Sequence, residues 1–524
     1  MLHSMLSAFR APQSPVARLW IALAAASITP AAALGAALPA PPQTFDSSYV
    51  APRGAILNVA AGGSLQSALD KAQLGDTIVL QAGATYRGSF KLPNKTVGSG
   101  WIYVVSSRLA NLPPPGTRVS PANAAYMPKI LAPNGLNALD SVANSHHYRF
   151  VGIEFAPAPE TTLSYAVVAI GSSDVSPATL AHHIIFDRCY VHGLPNSNDR
   201  RGIEMDGAYV AVVDSYISGF QDGSDSQGLW AFNTTGPLQI RNNYIEAATE
   251  NVMFGGADSR APALVPTSIE IRNNHFYKPL TLIPTKYAMK NLLEFKAARR
   301  VLVAGNTFEN NPAKSQNGFA LVITPRNQNG YAPWTVTSDI AIVDNRFINV
   351  GSGFGILGRD NIHPSQLTER VLIRDNIVGV TGLNGADGRA FEFINGGSDY
   401  TVNHNTIINT ALPPAFPNSD VSIVHSATKI NNFVFTNNLA TRTSYGFWGS
   451  GLEGTRALNT SFTNWTFSRN VLVARPAGNY PAGNFFPAVL AAVGFVNYSV
   501  GNYALAANSP YKNAGTDGMA VGAN

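Results

Sequence analysis

The sequence predicts an all-β fold, a single-stranded right-handed parallel β-helix with a short N-terminal capping helix. An Asn-x-apolar motif recurs about every thirty residues, and the units that carry it show strand-like alternation with no helical periodicity. Only 13% of the residues are charged, and 46 glycines and 34 prolines suit many short strands and turns. A unit of this size cannot bury its own apolar face, so successive units must stack as a solenoid.

The N-terminal segment has the pattern of a secretory signal. Arg10 and Arg18 precede an apolar run at 19–23, and small residues follow up to Ala37. This predicts a signal peptide over residues 1–37 and a secreted or periplasmic protein, with no membrane contact after its removal. The alternative is a transmembrane anchor, although Pro30 interrupts the apolar span that an anchor needs.

A capping helix is predicted over residues 64–74, with Ser64 as N-cap and Gly75 after the last turn. It closes one exposed end of the solenoid. We therefore divide the rest of the chain into an N-terminal cap with the first coils (38–95), the β-helix itself (96–510) and a C-terminal tail (511–524).

The repeat supplies the coils. Its anchor asparagines, separated by 31, 32, 39, 31, 29, 33 and 32 residues, are Asn243, Asn274, Asn306, Asn345, Asn376, Asn405, Asn438 and Asn470. Asparagine tolerates a left-handed backbone, and its amide can bond the equivalent amide one coil away. Segments 184–191 and 210–217 fit as earlier rungs with the asparagine replaced. A β-propeller, the alternative, needs longer units of about 40 residues.

The remaining composition excludes several kinds of site. Cys189 is the only cysteine, which excludes a disulfide framework and a thiolate metal cluster, and its strand-like surroundings predict a buried, inert thiol. The histidine pairs 146–147 and 182–183 start strands, where alternation puts only one ring of each pair inward, so we expect turn histidines. The net charge of +5 by itself predicts no partner, and we expect no nucleic-acid partner and a monomer.

Two segments carry a resemblance to a known superfamily. The predicted helix is followed by Gly75-Asp-Thr-Ile-Val-Leu80 and by Gly83-Ala-Thr-Tyr86, and segment 503–518 has the form of a closing segment. In these features the chain resembles the pectate-lyase-like right-handed parallel β-helix superfamily over residues 56–524. The resemblance implies an exported carbohydrate-active or polysaccharide-binding protein.

The longest interval of the repeat, between Asn306 and Asn345, predicts a long loop beside one sheet, where solenoids bind ligands. The groups there that suit sugar binding are Arg326, Asn327, Gln328, Tyr331 and Trp334. The preceding strand, 291–296, places Glu294 and Lys296 on one face.

Segment 293–308 resembles the catalytic stretch of the alginate lyase and chondroitinase B family. The resemblance implies β-elimination on an acidic, uronate-containing polysaccharide, with Lys296 as base, Arg326 assisting and Glu294 beside them, and Arg299 near the substrate. A base and positive charge suit removal of the C5 proton of a uronate. Crowding by neighbouring arginines is expected to lower the pKa of Lys296.

The sequence predicts no definite cofactor, and calcium is left open as an alternative. The family has calcium-binding acids five and seven residues before the lysine, where this chain has Asn291 and Met289. The alternative to the whole site is an exposed ion pair of Glu294 with Lys296 and an unrelated loop charge at Arg326.

A second group of acids lies earlier in the chain, at Asp206, Asp222 and Asp225, with Trp230 nearby. Acids on stacked coils could serve an inverting glycoside hydrolase, and the pattern loosely resembles the polygalacturonase family without its Gly-His-Gly. The alternatives are turn caps or a structural cation, and for the whole protein a non-catalytic surface or polysaccharide-binding role.

Overall fold

The computed structural model describes residues 35–171, 175–411, 419–424 and 428–523, with the side chains of 422–424 left aside. Residues Gly35–Asn524 form one compact unit. Most of the predicted signal peptide, residues 1–34, lies outside the described residues. No helix in the described ranges is long and apolar enough to cross a membrane.

Each coil contributes one strand to each of three long sheets, which we call sheets 1, 2 and 3 in the order that the chain visits them. The strands pair in parallel, except for a final hairpin strand in sheet 3. The solenoid winds right-handed, as parallel crossover connections do. The predicted parallel β-helix is confirmed, and the antiparallel propeller is excluded.

The strands of sheet 1 are Ile56–Val59, Thr77–Leu80, Ile102–Ser106, His146–Val151, His182–Asp187, Ala208–Val213, Leu238–Arg241, Thr267–Arg272, Ala298–Ala304, Thr337–Val343, Glu369–Arg374, Ser398–Asn403, Ile430–Thr436 and Phe462–Ser468. Those of sheet 2 are Thr85–Arg87, Lys129–Ala132, Glu154–Pro157, Tyr190–His192, Tyr216–Phe220, Tyr244–Ala247, His275–Tyr277, Thr307–Asn311, Arg346–Val350, Ile377–Val380, Thr406–Asn409, Leu439–Ala440 and Val471–Leu472. Those of sheet 3 are Phe90–Leu92, Leu139–Ser141, Val168–Ile170, Arg201–Met205, Gln227–Ala231, Glu250–Phe254, Leu293–Phe295, Phe319–Ile323, Ser352–Leu357, Arg389–Ile394, Ser419–Val424, Phe447–Gly449 and Leu452–Glu453.

Shorter elements lie in the connections. Two-stranded pairs join Leu163–Ser164 to Asn198–Asp199 and Phe495–Asn497 to Asn502–Leu505. Among the described residues, the α-helices are Leu65–Lys71 and Thr455–Ser461. The 3-10 helices are Leu109–Asn111, Pro121–Tyr126, Pro177–Thr179, Pro262–Leu264, Leu280–Leu282, Leu383–Gly385, Ala477–Asn479, Leu490–Val493 and Tyr498–Val500.

The N-terminal capping helix is confirmed at Leu65–Lys71. The Ser64 hydroxyl accepts a hydrogen bond from the Ser67 N–H at 3.1 Å, which satisfies one of the free N–H groups of the first turn. Leu65 and Leu69 are buried against the first coils. The helix therefore shields the apolar end of the solenoid from water.

The core consists of equivalent apolar residues stacked from coil to coil. Phe276, Phe308 and Phe347 stack with centroid separations of 4.5 and 4.7 Å and are essentially inaccessible to solvent. Their offset stacking adds to the hydrophobic stabilisation of burial. Strand pairing sets the rise of the coils, and the stacked rings fill the core at that spacing.

The anchor asparagines form a buried ladder between sheets 1 and 2. The Asn306 backbone N–H and side-chain amide both donate to Asn345 Oδ1, at 2.9 Å each, and the bond pattern repeats from Asn243 onward to Asn484. Ser215 extends the ladder toward the N-terminus and accepts from the Cys189 N–H. The two earlier rungs are thereby confirmed.

One detail of the repeat was wrong. The left-handed residue of each turn is the one before the anchor, for example Asn273 at φ 56° and Asp344 at φ 57°. The anchor itself supplies the ladder. The two tasks that we assigned to one asparagine are therefore divided between neighbouring residues.

The segment from Gly35 to Val50 runs along the outer face of sheet 1. Its backbone is held by side chains of successive coils: the Ala40 N–H donates to Asp339 at 3.0 Å, and the Phe45 carbonyl accepts from Gln239 at 2.7 Å. Ser47 accepts from Arg149, whose guanidinium also pairs with buried Asp187. These bonds tie many coils together along the solenoid axis.

Candidate active site

A cleft of about 370 Å³ opens on sheet 3, where the loops that follow two neighbouring strands rise beside it. The strands are Phe319–Ile323 and Ser352–Leu357. The lining residues are Glu294, Lys296, Gln316, Val322, Thr324, Arg326, Asn327, Gln328, Asp360, Ile362 and His363. The cleft thus brings together Glu294, Lys296, Arg326, Asn327 and Gln328, which the sequence had singled out.

Glu294 and Lys296 lie on the outer face of the strand Leu293–Phe295 and its end. The Lys296 ammonium is 3.8 Å from Glu294 Oε1, and the Thr324 hydroxyl donates to the same oxygen at 3.3 Å. Only 4% of the Glu294 side chain and 19% of the Lys296 side chain are exposed. The pair is therefore partly desolvated, and a ligand in the cleft reaches the lysine more easily than the acid.

The predicted lowering of the Lys296 pKa was wrong. Burial alone would lower it, but the carboxylates of Glu294, Glu250 and Asp225 outweigh burial and the repulsion of Arg326, so the pKa is raised above its usual value. Lys296 is therefore an ammonium in the resting protein. The arginines that we expected to crowd it are fewer than its acidic neighbours.

Arg326 lies on the next coil, and its backbone N–H donates to the backbone carbonyl of Lys296 at 2.9 Å. Its guanidinium uses Nη1 for both of its hydrogen bonds, to Asp360 at 2.8 Å and to Asn361 at 2.5 Å. Within the described part of the chain, Nη2 and Nε have no recorded acceptor and are available to a ligand. An anionic group in the cleft would find positive charge from two adjacent coils.

Asp360 fixes the orientation of Arg326 and of the loop. Its carboxylate accepts from the Asn327 N–H at 2.9 Å as well as from the guanidinium. Although burial raises the pKa of Asp360, the hydrogen bonds from Ile362, Asn327 and Arg326 lower it below its usual value. Asp360 is therefore ionised and holds the arginine in place.

Gln328 lines the cleft as predicted, whereas the other loop residues make contacts that the sequence did not predict. Asn327 is buried, with Oδ1 accepting from the Ala332 N–H at 2.7 Å and Nδ2 donating to the Pro364 carbonyl at 2.8 Å, so it shapes the loop. Tyr331 is 78% exposed at the loop tip and does not line the cleft. The Trp334 indole donates to Ser259 and packs against a separate apolar cluster.

Arg299 was misplaced by the sequence analysis. It lies in the strand Ala298–Ala304 of sheet 1, paired with Thr267 and Ser338, whereas the cleft lies on sheet 3. The turn after Lys296 carries the chain from one sheet to the other within two residues. Arg299 therefore does not reach the cleft.

A buried charge network adjoins the cleft on its N-terminal side. Lys290 lies 3.2 Å from Glu250 and 3.9 Å from Asp225, and Gln227 donates to both acids at 2.7 Å. Burial and the neighbouring Glu294 raise the pKa of Glu250 to about 7. This network supplies part of the negative potential that keeps Lys296 protonated.

Trp230 lies two strands from Glu294 in the same outward row, about 10 Å along the axis. Its indole is buried, covered by the Arg201 guanidinium at 4.0 Å and stacked on Phe232 at 4.7 Å. It supports the arginine and is not open to a sugar ring. Glu204, next to Arg201, has a pKa raised to about 7 by burial.

Asp206, Asp222 and Asp225 do not line the cleft. Asp206 is fully buried and accepts from the Phe232 and Asn233 N–H groups. Asp222 caps its own turn through Ser224, and Asp225 pairs with Arg200 at 3.0 Å. Each acid is thus accounted for by local structure, as the turn-cap alternative expected for Asp222.

Asp360 and His363 line the cleft and Lys290 lies in the adjoining charge network, and none of the three was predicted from the sequence. Asp360 and His363 could in principle have been identified from the repeat. Ile323 pairs with Ile356 on the next coil, and the same shift applied to Arg326 places the segment 358–363 beside it. Lys290 carries no such signal. It belongs to an irregular connection between Tyr277 and Leu293 with no motif of its own.

No family model matches the chain, and no curated protein matches it. Among solved structures, the chain is similar to the PL6 family alginate lyase AlyGC, with 13% identity, a TM-score of 0.45, and coverage of 89% of this chain and 58% of that one. The pectate lyase Pel9A gives 14% identity and a TM-score of 0.36, covering 90% of this chain and 96% of that one. A GH87 α-1,3-glucanase from Streptomyces thermodiastaticus gives 12% identity and a TM-score of 0.46, and the match covers 84% of this chain and 69% of that one. Likenesses this distant assign no activity, so the site is interpreted from its own geometry.

Proposed function

We propose that this protein cleaves an acidic, uronate-containing polysaccharide by β-elimination in the cleft on sheet 3. The observation that carries the proposal is the convergence of Lys296, Glu294 and Arg326, from two adjacent coils, in one open cleft. Had the ion pair been isolated and Arg326 turned away, the chemistry would have no site.

Substrate binding follows from the charges that face the cleft. The unpaired Nη2 and Nε groups of Arg326 suit a carboxylate, for which a guanidinium is a bidentate donor. Asp360 holds the arginine in the orientation that such binding needs.

In the reaction, the neutral form of Lys296 takes the C5 proton of the bound uronate. The electron pair of the broken C–H bond forms the C4–C5 double bond, the C4–O bond breaks, and the departing oxygen takes a proton from water. Arg326 stabilises the negative charge that develops on the uronate carboxylate. Because the resting lysine is an ammonium, the rate should rise with pH through the alkaline range.

The direct test is incubation with a panel of uronate polymers, read by the ultraviolet absorbance of the new double bond. Lys296→Met should abolish the signal. Lys91→Met is the matched control, because Lys91 also pairs with an acid, Asp140, on sheet 3 but far from the cleft, and its loss should change little. Wild-type protein that releases no unsaturated product from any uronate polymer would overturn the proposal.

Hydrolysis is a second candidate, favoured by the raised pKa of two carboxyl groups, Glu204 and Glu250, each to about 7 because of burial. A carboxyl that is protonated near neutral pH can act as a general acid. If wild type releases new reducing ends without unsaturation, and Glu204→Gln does not, the reaction is hydrolysis and not elimination. Binding without cleavage would indicate a non-catalytic polysaccharide-binding protein.

A further inference from the structure

Four histidines meet on the outer side of the turn that leads into sheet 1. His146 and His147 begin one strand, and His182 and His183 begin the strand of the next coil. The rings form a two-by-two block: His146 stacks on His182 at 4.9 Å, and His147 stacks on His183 at 4.6 Å. All four side chains are half-buried, so the block faces solvent on one side.

The expectation that strand alternation would separate the rings of each pair was wrong. His147 and His183 have φ of 57° and 54°, and neither takes part in the strand register, in which His146 pairs with His182 and Tyr148 with Ile184. The left-handed residue turns its side chain to the same side as its neighbour. Within each pair the two Nδ1 atoms therefore lie close together, 2.7 Å apart in one coil and 2.8 Å in the next.

We propose that this histidine block binds a divalent transition-metal ion, with His147, His182 and His183 as ligands. One ring nitrogen from each of these three residues lies within 4.8 Å of the other two. Imidazole nitrogen is the donor that zinc, copper and nickel ions prefer, whereas calcium and magnesium require oxygen. No carboxylate or thiol belongs to this cluster in the part of the chain that the structure describes.

Metal binding requires the rings to rearrange, because the ring nitrogens of the three ligands lie within 4.8 Å of one another, a looser limit than a metal ion sets. Two nitrogen ligands on a tetrahedral zinc ion lie about 3.3 Å apart, given Zn–N bonds of roughly 2.0–2.1 Å. In the proposed triad, the two nitrogens of the His182–His183 pair, now 2.8 Å apart, would separate by about half an ångström, and an N–H···N bond would be replaced by two metal bonds. Three ligands leave a fourth position for water or for His146.

The surroundings hold the rings in place. Trp101 lies with its centroid 5.2 Å from His147 and 6.2 Å from His183, and Tyr209 stacks on His183 at 4.3 Å. These contacts restrict the rings, so less ordering is required when an ion binds.

The block is separate from the proposed active site. The strand that begins at His182 is four strands from the one that begins after Lys296, about 19 Å along the axis. Metal binding here would therefore stabilise the N-terminal coils and would not depend on whether the cleft is catalytic.

The test uses full-length protein without a histidine tag, freed of metal with a chelator and titrated calorimetrically with zinc sulfate. Wild type should bind one ion per chain. His147→Asn and His183→Asn remove ligands while keeping a residue that tolerates positive φ, and each should weaken binding at least tenfold. His275→Asn is the control, because His275 pairs with Glu309 on sheet 2 and its loss should not affect binding.

A second readout locates the ion. Copper(II) should quench the fluorescence of Trp101, and Trp101→Phe should remove most of the quenching while leaving zinc binding intact. If the asparagine variants do not fold, His182→Gln, at a regular strand position, replaces them. Absence of stoichiometric zinc binding by wild type, or equal binding by the ligand variants, would overturn the proposal.

Discussion

Glu294→Gln tests the assignment of Lys296 as the base, because it removes the nearest charge that keeps the lysine protonated. The ammonium and carboxylate are 3.8 Å apart. At that distance their attraction is worth about 1 kcal/mol if screened as in water and about 4 kcal/mol in a partly buried setting. The glutamine keeps the size of the side chain and can still accept the Thr324 hydrogen bond.

Using the lower figure, the neutral fraction of Lys296 below its pKa rises by about sixfold. A base of lower pKa is also intrinsically weaker, which cancels about half of that gain on a logarithmic scale. We therefore expect elimination by Glu294→Gln at neutral pH to be roughly two to three times faster than by wild type. The rise of rate with pH should also level off at a lower pH.

The assay is the initial rate of unsaturated product formation across neutral and alkaline pH at saturating substrate. Glu392→Gln is the matched control: Glu392 lies in the same outward row of sheet 3, three strands beyond Glu294, and pairs with Arg389. Its pH profile should match wild type. A Glu294→Gln variant that is slower, with an unmoved profile, would refute Lys296 as the base and indicate that Glu294 takes the proton.

Three further predictions concern the cleft, the ladder and the buried acids. Arg326→Ala should lower kcat/KM at least a hundredfold because charge stabilisation is lost, whereas Arg359→Ala, an exposed arginine at the equivalent position one coil later, should leave kinetics unchanged. Asn306→Ala removes hydrogen bonds to Asn274, Asn345 and Ile271 and leaves their buried polar groups unpaired. The free energy of unfolding measured in urea should therefore fall by about 2–4 kcal/mol, whereas the exposed substitution Asn134→Ala should change it little. For Glu204, burial raises the folded-state pKa to about 7 from 4.5, so the folded state binds the extra proton between these values and stability falls as pH rises through them. Wild type should therefore lose up to about 3 kcal/mol of unfolding free energy between pH 4 and pH 8 that Glu204→Gln does not lose. Equal pH dependence of stability in the two proteins would contradict this.

The repeat explains why the fold was predictable. Each Asn-x-apolar unit encodes a strand, a bend and a ladder contact within a few residues, and local chemistry of this kind is visible in a sequence. The capping helix was visible for the same reason, since Ser64 and the apolar positions Leu65 and Leu69 are close in the chain. Where a feature depends on contacts within one coil, the sequence shows it.

Features that depend on contacts between distant coils were harder to predict. Burial lowers the pKa of Lys296, but Glu294 on the same strand and Glu250 and Asp225 on earlier coils together raise it, so its direction could not be read from the neighbouring arginines. The position of Arg299 depended on where the chain turns between sheets, a boundary of two residues. The histidine block formed because two residues adopt a left-handed backbone, which an assumption of regular alternation excludes.

The proposed activity of the cleft around Lys296 and Arg326 is elimination. Mass spectrometry of the fragments released from a uronate polymer tests it most directly, because elimination splits a chain without adding water and hydrolysis adds one water per cut. We predict fragments whose new non-reducing ends lack one water relative to hydrolytic products, formed by wild type and by Lys91→Met but not by Lys296→Met. Fully hydrated fragments, or unsaturated fragments still formed by Lys296→Met, would contradict the proposed mechanism.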